Sequence, residues 1–272
     1  IGLQQKIREK ISAFNGDIII SYFDTNFSED SQHPISINQP FYPSFKNIEG
    51  IEHIQATASK GGVIRTETDF EGVIVKGVGP DYRWDDFESY LVEGRLPNLK
   101  EELNSEILIS EYLANRLHFK LGDRVTTFFL NDDVSKNPRS RGFEIVGIYN
   151  SGFHQFDEQF LLGDIRHIRM LNRWEDDQIG SFEVFVKDFS KIEEVGHQVY
   201  YEVDSSLDVQ TIREKFASIF EWIDLFDFNI IAIIGIMILV AGINMITALL
   251  VLVLERTRMI GILKAIGASD AG

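Results

Sequence analysis

The chain has 272 residues, with 26 Lys and Arg against 42 Asp and Glu, and a formal net charge of −16. A nucleic-acid surface would repel this charge, and no basic, aromatic-interleaved patch is present, which argues against nucleic-acid binding. The absence of Cys excludes a disulfide scaffold and a Cys-based zinc site. Because the sequence begins at Ile1 and ends in mid-pattern at Gly272, we expect a fragment of a longer polypeptide.

The first half of the chain predicts mostly extended elements. Apolar residues at helical spacing predict a helix over 3–14 that Asn15-Gly16 ends. A loop is predicted at 24–40 and a short helix at 42–48. Extended segments are predicted at 17–22, 51–59, 63–66 and 73–78. Segments 63–66 and 73–78 should pair as a hairpin. Gly61-Gly62 should separate this hairpin from the extended segment at 51–59.

The second half predicts strands and helices that lead towards an apolar run. In chain order they are a turn at 93–97, a strand at 106–109, a helix capped by Ser110, strands at 124–130 and 143–149 around a charged loop at 131–141, a strand at 182–186, a helical segment at 189–200 and a strand at 207–209. Thr211 and Glu214 form a capping box. The helix after it carries an apolar face, made of Ile212, Phe216, Ile219, Phe220 and Ile223.

Residues 230–254 contain no charged side chain. As a helix they would span roughly 37 Å, more than the roughly 30 Å hydrocarbon core of a bilayer. The alternative is a buried helix of a soluble domain, but such helices rarely stay apolar on every face over this length. Gly242, Asn244 and Thr247 interrupt the run, and small or polar residues in a span usually face neighbouring helices. The sequence predicts one transmembrane helix at 229–254.

The charges on either side of the run predict its orientation. Acidic residues precede it, at Glu221, Asp224 and Asp227, and basic residues follow it, at Arg256, Arg258 and Lys264. Because basic residues are retained in the cytoplasm, we expect residues 255–272 inside and residues 1–228 outside. The amphipathic helix before the run would then transmit force between the two sides, although a helix packed on its own domain has the same pattern.

Catalytic and cofactor motifs are absent from the sequence. There is no P-loop and no GxSxG elbow, and the lone Gly77-Val-Gly79 indicates a turn rather than a dinucleotide site. His154, Asp157 and Glu158 could in principle hold a metal, but ligands need oriented partners that the sequence does not reveal. We therefore expect residues 1–228 to fold alone as a soluble protein without catalytic residues, cofactor or metal.

The segment after the apolar run carries the most specific pattern. Residues 254–269 read LERTRMIGILKAIGAS. They resemble the signature that follows the second membrane helix in FtsX-like permeases of the MacB and LolC/LolE superfamily of ABC transporters, E-[RK]-x-R-x-I-x-[IL]-x-x-[AV]-[ILMV]-G-A. The matching positions are Glu255, Arg256, Arg258, Ile260, Ile262, Ala265, Ile266, Gly267 and Ala268. A basic stop-transfer flank would explain the two arginines but not the remaining matches.

The resemblance extends more loosely over the rest of the chain, and it implies an α+β fold, the MacB-like periplasmic core domain. A Porter-like α/β lobe would be built from 1–80 and 165–228, with a β-rich Sabre-like lobe inserted at 81–164. The span at 229–254 and a cytoplasmic coupling segment at 255–272 would follow. A member of this family lies in the bacterial inner membrane, with the outer domain in the periplasm.

The resemblance also implies a function. Such a permease has no ATPase of its own and works as a dimer with separate ATPase subunits, whose ATP-driven closure moves the outer domains, which is called mechanotransmission. The form of the signature looks closest to the LolC/LolE subgroup, which extracts lipoproteins. A lipoprotein or a periplasmic carrier would be a further partner, although the loop at 131–141 is short for carrier docking. Membrane lipid would surround the span.

Residues of the coupling segment are the candidate functional site. Its apolar stripe should form a short helix that Gly267 ends and that a groove on the ATPase receives, with Gly261 allowing close approach. The complete candidate set is Glu255, Arg256, Arg258, Met259, Ile260, Gly261, Ile262, Leu263, Lys264, Ile266 and Gly267. The alternatives are MacB-type drug or peptide export, FtsX-type regulation of cell-wall hydrolases and, in another class, a single-span membrane sensor, against which the signature argues.

Overall fold

A computed structural model describes residues 2–23, 32–100, 103–129 and 138–267. They form two compact units, Ile1–Lys215, which we call the outer unit, and Phe216–Gly272. The strands are β1 Ile18–Tyr22, β2 Ile35–Ser36, β3 Ile51–Arg65, β4 Phe70–Val78, β5 Leu91–Gly94, β6 Glu106–Ser110, β7 Arg124–Phe129, β8 Arg139–Tyr149, β9 Phe160–Asp164, β10 Gln178–Ile179, β11 Ser181–Val186 and β12 Leu207–Thr211. The helices are α1 Gly2–Asn15, α2 Asp85–Glu88, α3 Glu111–Leu117, α4 His154–Asp157, α5 Ile165–Asn172, α6 Ile192–Glu202, α7 Ile212–Lys215 and α8 Ala217–Ala265.

One sheet runs through the outer unit and closes on itself at one end. The closed ring consists of β3, β4, β9, β6, β8 and β7, with β7 returning to β3. From the first half of β3 the sheet continues through β11 and β1 to β12. The long strand β3 therefore belongs to both halves, since residues 51–57 pair with β11 and residues 63–64 pair with β7. The α+β class predicted from the sequence is confirmed.

The local signals of the sequence reappear in the structure. Helix α1 ends at Asn15, and Gly16 follows with φ +68°, a conformation that favours glycine. Strands β3 and β4 form a hairpin, but residues 73–78 pair with 57–62 rather than with the predicted 63–66. The Ser110 hydroxyl accepts a hydrogen bond from the Leu113 amide at the start of α3. In the capping box, the amide of Thr211 donates to the Glu214 carboxylate at 2.8 Å.

Three local predictions are wrong. Residues 42–48 contain no helix, because the aromatic rings there serve packing: Phe41 stacks on Phe45 at 4.9 Å and contacts Phe182 at 5.2 Å. The predicted turn at 93–97 begins inside a strand, since Glu93 and Gly94 pair with β8. Gly61-Gly62 does not interrupt β3, which runs through both residues.

Two predicted segments lie partly outside the described residues. Residues 24–31 of the first loop and 131–137 of the charged loop are outside them. Within the described parts, Ile35–Ser36 form β2 rather than loop, and 139–141 belong to β8. The division into a Porter-like lobe and an inserted Sabre-like lobe stays a prediction. One continuous sheet includes strands from both proposed lobes, so the sheet does not mark a boundary between them.

An aromatic cluster fills the core where α1 meets the sheet. The Phe14 ring lies 4.8 Å from Phe156, 5.1 Å from Phe87 and 5.8 Å from Tyr149, measured between ring centroids. All four side chains are buried. Because aromatic residues bury large areas and pack with tilted rings, this cluster joins α1 firmly to the segments around β8 and α4.

Asp17 sits at the junction between α1 and β1 and is buried. Its carboxylate accepts a hydrogen bond from the Val186 amide at 2.8 Å, and its carbonyl accepts one from the Ile212 amide at 2.9 Å. Burial raises the pKa of Asp17 above its usual value, because the apolar surroundings disfavour the charged form. The residue therefore contacts β11 through its buried carboxyl group and the start of α7 through its backbone carbonyl.

The first prediction concerns Gly62, at the point where β7 closes on β3. A Cβ there would lie 2.8 Å from Thr127 Cγ2 and 3.1 Å from the Phe128 carbonyl. We expect Gly62→Ala to lower the free energy of unfolding by about 1–3 kcal/mol, measured by denaturant titration followed through Trp84 and Trp174 fluorescence. The control is Gly72→Ala in the same hairpin, where an added Cβ meets nothing within 4 Å. Equal effects of the two substitutions would contradict the tight closure at Gly62.

The second prediction concerns Asp17 and pH. Its raised pKa means that the folded chain binds this proton more tightly than the unfolded chain does. The contribution of Asp17 to stability is therefore present below the unfolded pKa and is lost as the pH rises through the folded pKa. As the pH rises from about 4, the unfolded pKa of an aspartate, towards neutrality, we expect the stability of the wild type to decline relative to Asp17→Asn, measured by denaturant unfolding. A constant difference across this range would contradict the assignment.

Candidate functional site

The second unit contains a single long helix in the part of the chain that the structure describes. Helix α8 has 49 residues and, at 1.5 Å per residue, is roughly 73 Å long. By length and composition it could cross a membrane, and no side chain in its most apolar stretch is buried. Residues 230–254 present apolar side chains on all faces, so this surface requires an apolar environment of lipid or neighbouring helices.

Helix α8 does not begin where the amphipathic pattern does. The predicted helix through 212–223 is divided at Phe216, whose φ of −110° and ψ of 36° are not helical. Helix α7 therefore stays with the outer unit, and α8 starts at Ala217. Within the apolar run, the Thr247 hydroxyl donates to the Ile243 carbonyl of its own helix at 2.9 Å. The hydroxyl therefore needs no hydrogen-bond acceptor outside the helix.

The coupling residues lie in the last turns of α8 rather than in a separate short helix. Met259, Ile262, Leu263 and Ile266 follow one another at i, i+3, i+4 and i+7, so they share one face, which we call the apolar stripe. All four are more than half exposed. Because large apolar side chains gathered on one exposed face indicate a contact surface, the stripe is the strongest candidate for partner binding in this unit.

The remaining candidate residues surround the stripe. Ile260 is 52% exposed beside it, and a Cβ added at Gly261 would meet nothing within 4 Å. Glu255, Arg256, Arg258 and Lys264 are all exposed at the same end of the helix. The helix ends at Ala265, where the Ile266 amide donates to the Ile262 carbonyl at 3.2 Å, and the expected terminating glycine, Gly267, follows with φ +99°.

The metal candidates of the sequence do not form a binding set. The Asp157 carboxylate accepts hydrogen bonds from the Ser151 hydroxyl at 2.7 Å and from the Gly152 amide at 3.1 Å. His154 pairs instead with Glu158 at 3.0 Å, on the surface. Among residues 2–23, 32–100, 103–129 and 138–267, no group of three His, Asp or Glu side chains is arranged to hold a metal ion.

A small polar cavity lies in the outer unit beside the end of α1. Its volume of about 20 Å³ has room for roughly one water molecule. Thr57, Ser59 and Ser181 line it together with Lys76 and Glu183, two charged side chains that are almost completely buried. The Lys76 ammonium lies 2.5 Å from the Glu183 carboxylate. The cavity is therefore too small for a metabolite, and its main feature is the buried ion pair.

This ion pair was not predicted, although the sequence contains a signal for it. Lys76 interrupts the apolar strand segment VIVKGV, and Glu183 interrupts SFEVFV. A charged residue inside an otherwise apolar strand is rarely buried without a partner, so each residue indicates a hidden counter-charge. Which residue provides it could not be predicted, because the two are separated by 107 positions.

Comparisons with known proteins agree with this arrangement. The model of the MacB-like periplasmic core domain matches residues 1–219, and that of the FtsX-like permease C-terminal region matches residues 231–272. The chain is 22% identical over 279 residues to the lipoprotein-releasing system transmembrane protein LolC of Neisseria meningitidis serogroup B. The alignment covers 100% of this chain, which spans 64% of the length of that curated relative.

Two solved structures are similar at low identity. The extracellular domain of the noncanonic ABC-type transporter YknZ from Gram-positive bacteria has 14% identity and a TM-score of 0.45, covering 71% of this chain and 99% of that one. The periplasmic region of MacB from Actinobacillus actinomycetemcomitans has 15% identity and a TM-score of 0.47, covering 79% and 98%. On the two family models, which together match most of its residues, the chain belongs to the FtsX-like permease family with a MacB-like periplasmic core domain.

Proposed function

We propose that the chain is a permease subunit of an ABC transporter that works by mechanotransmission in the bacterial inner membrane. The observation that carries this proposal is the continuity of α8, which joins the apolar run of residues 230–254 and the apolar stripe in one uninterrupted helix. A continuous helix transmits axial displacement and rotation, whereas a flexible linker would dissipate them. Family membership supplies the context of a membrane permease.

The proposed orientation has the outer unit in the periplasm and the apolar stripe in the cytoplasm. Support comes from Arg256, Arg258 and Lys264, which follow the apolar run and are exposed. Basic flanking residues remain on the cytoplasmic side during insertion. A MacB-like core domain on the other side of the membrane agrees with this direction.

ATP hydrolysis belongs to a separate partner subunit. The chain has no P-loop, and the apolar stripe offers a surface at which an ATPase groove would receive the end of α8. The charges of Glu255, Arg256, Arg258 and Lys264 surround the stripe and would set the register of that contact. A second permease subunit would complete the transporter, with the two outer units moved by closure of the ATPases.

The cargo is best assigned to lipoproteins that leave the inner membrane. The support is the similarity to LolC over the whole chain and the form of the signature at residues 255–264. The second candidate is MacB-type export of a drug or peptide, favoured by the match of the core domain. The cavity beside the end of α1, at about 20 Å³, is too small for either cargo.

The third prediction concerns the apolar stripe. We expect Ile262→Asp to abolish co-purification of the full-length permease with its ATPase, because a carboxylate in a dry apolar contact costs several kcal/mol, about 100-fold or more in affinity. The matched control is Thr257→Asp, which adds the same charge on the opposite face of α8. Co-purification and ATP turnover should survive in the control.

Wild-type association of the Ile262→Asp permease with its ATPase would contradict the role of the stripe. Loss of association in both variants would also contradict it. A charge added on any face near the end of α8 would then be enough to prevent ATPase binding, so the stripe would have no specific role. The thermal unfolding of the outer unit serves as a further check and should remain unchanged in both variants, since neither position lies in that unit.

A further inference from the structure

Side chains from outside the helix donate hydrogen bonds to the last turn of α1. The final carbonyl groups of a helix have no partner within the helix and need donors from elsewhere. The Ser12 carbonyl accepts from the Gly16 amide at 2.7 Å, and the Ala13 carbonyl accepts from the Tyr82 hydroxyl at 3.2 Å. The Phe14 carbonyl accepts from the Lys76 ammonium. The positive charge of Lys76 also lies at the negative end of the helix dipole.

Lys76 is in turn held by a chain of polar contacts in the sheet. Glu183 of β11 pairs with it at 2.5 Å, and Gln55 of β3 donates to the same carboxylate at 2.9 Å. The Gln55 side-chain oxygen accepts from the Arg83 amide at 2.8 Å, next to Tyr82. These contacts form a closed polar circuit that connects α1, β3, β4, β11 and the segment after β4. We call it the α1 clamp.

Stability alone does not explain a buried ion pair at this place. Lys76 is 3% and Glu183 is 5% exposed, so both charges have lost their hydration. Well-packed apolar side chains of similar volume often stabilise a fold as well as such a pair does. An apolar side chain at position 76, however, cannot donate to the Phe14 carbonyl. The ion pair therefore provides a fixed connection between the end of α1 and the sheet.

The same junction includes the start of α7. The Asp17 carbonyl accepts from the Ile212 amide at 2.9 Å, and the Lys215 ammonium donates to the Asn15 side chain at 3.4 Å. Helix α7 directly precedes α8 in the chain. Residues 14–17 thus connect the end of α1 to two partners. One is the sheet, through Lys76, and the other is α7, which leads into α8.

We propose that the α1 clamp is the coupling element of the outer unit, with Lys76 as its positioning residue, so that α1 and the sheet move as one body. This inference rests on the proposed function, because it names the connection through which a displacement at the membrane end reaches the whole outer unit. Without the clamp, the end of α1 would be held by the aromatic cluster and by Asp17 and would follow a displacement of the sheet less closely.

The test uses the full-length permease assembled with its ATPase, and compares Lys76→Met/Glu183→Met with the wild type. Hydrogen exchange is measured with and without ATP plus vanadate. In the variant, the amides at the end of α1 should exchange about tenfold faster or more, since a charge-assisted hydrogen bond is lost. The nucleotide-dependent change in exchange of β3 and β11 should disappear, while ATP turnover remains near the wild-type rate.

The matched control removes an exposed ion pair on the same strand. Arg116 contacts Glu71 of β4 at 2.9 Å, and neither residue contributes to the clamp. Glu71→Gln/Arg116→Gln should keep both the protection of α1 and the response to nucleotide. If the doubly substituted clamp variant does not fold, Tyr82→Phe replaces it. This variant removes the bond to the Ala13 carbonyl and should raise exchange at the end of α1 by about threefold.

The outcomes separate the inference from the proposed function. A folded clamp variant that keeps the response of β3 and β11 to nucleotide overturns the inference, as does unchanged protection of α1. A wild-type complex in which the outer unit shows no response to ATP plus vanadate overturns the proposed function itself. Rescue of the response by Lys76→Arg, which restores a donor and a positive charge, would support the positioning role of Lys76.

Discussion

The exclusion of charge and unpaired backbone groups from hydrocarbon is the constraint on which the chain depends. Residues 230–254 satisfy it by forming one helix, which pairs every backbone group internally, and by carrying no charged side chain. The helix continues beyond the run at both ends, where charged residues return. In chain order the outer unit precedes this helix, and the apolar stripe lies in its last turns.

For the outer unit, the proposed mechanotransmission would require a sheet that resists deformation. Its sheet closes through β7, and the closure depends on Gly62, because a side chain there would collide with β7. The long strand β3 carries this closed ring and also the layer of β11, β1 and β12. Beside β3, the buried pair Lys76 and Glu183 connects α1 to the same sheet. Rigidity at these places would let the unit follow a displacement without deforming.

Local signals allowed much of this fold to be predicted from the sequence. Ser110, the Thr211 capping box and Gly16 mark element ends through nearby backbone groups, and helical periodicity was enough to place the apolar stripe on one face. Features set by distant residues could not be predicted. Three such features depend on tertiary contacts. They are the pairing of β3 with β7, the choice of Glu183 as the partner of Lys76, and the aromatic packing found at 42–48 in place of a helix. The break at Phe216 interrupts a pattern that is equally compatible with one continuous helix.

Thiol labelling of spheroplasts tests most directly whether α8 crosses the membrane with the outer unit outside. The chain contains no Cys, so single substitutions give unambiguous signals. Ser205 in the outer unit and Ala265 at the end of α8 are both exposed. With an impermeant reagent, Ser205→Cys should label in intact spheroplasts, and Ala265→Cys should label only after permeabilisation. Labelling of Ala265→Cys in intact spheroplasts would contradict the account.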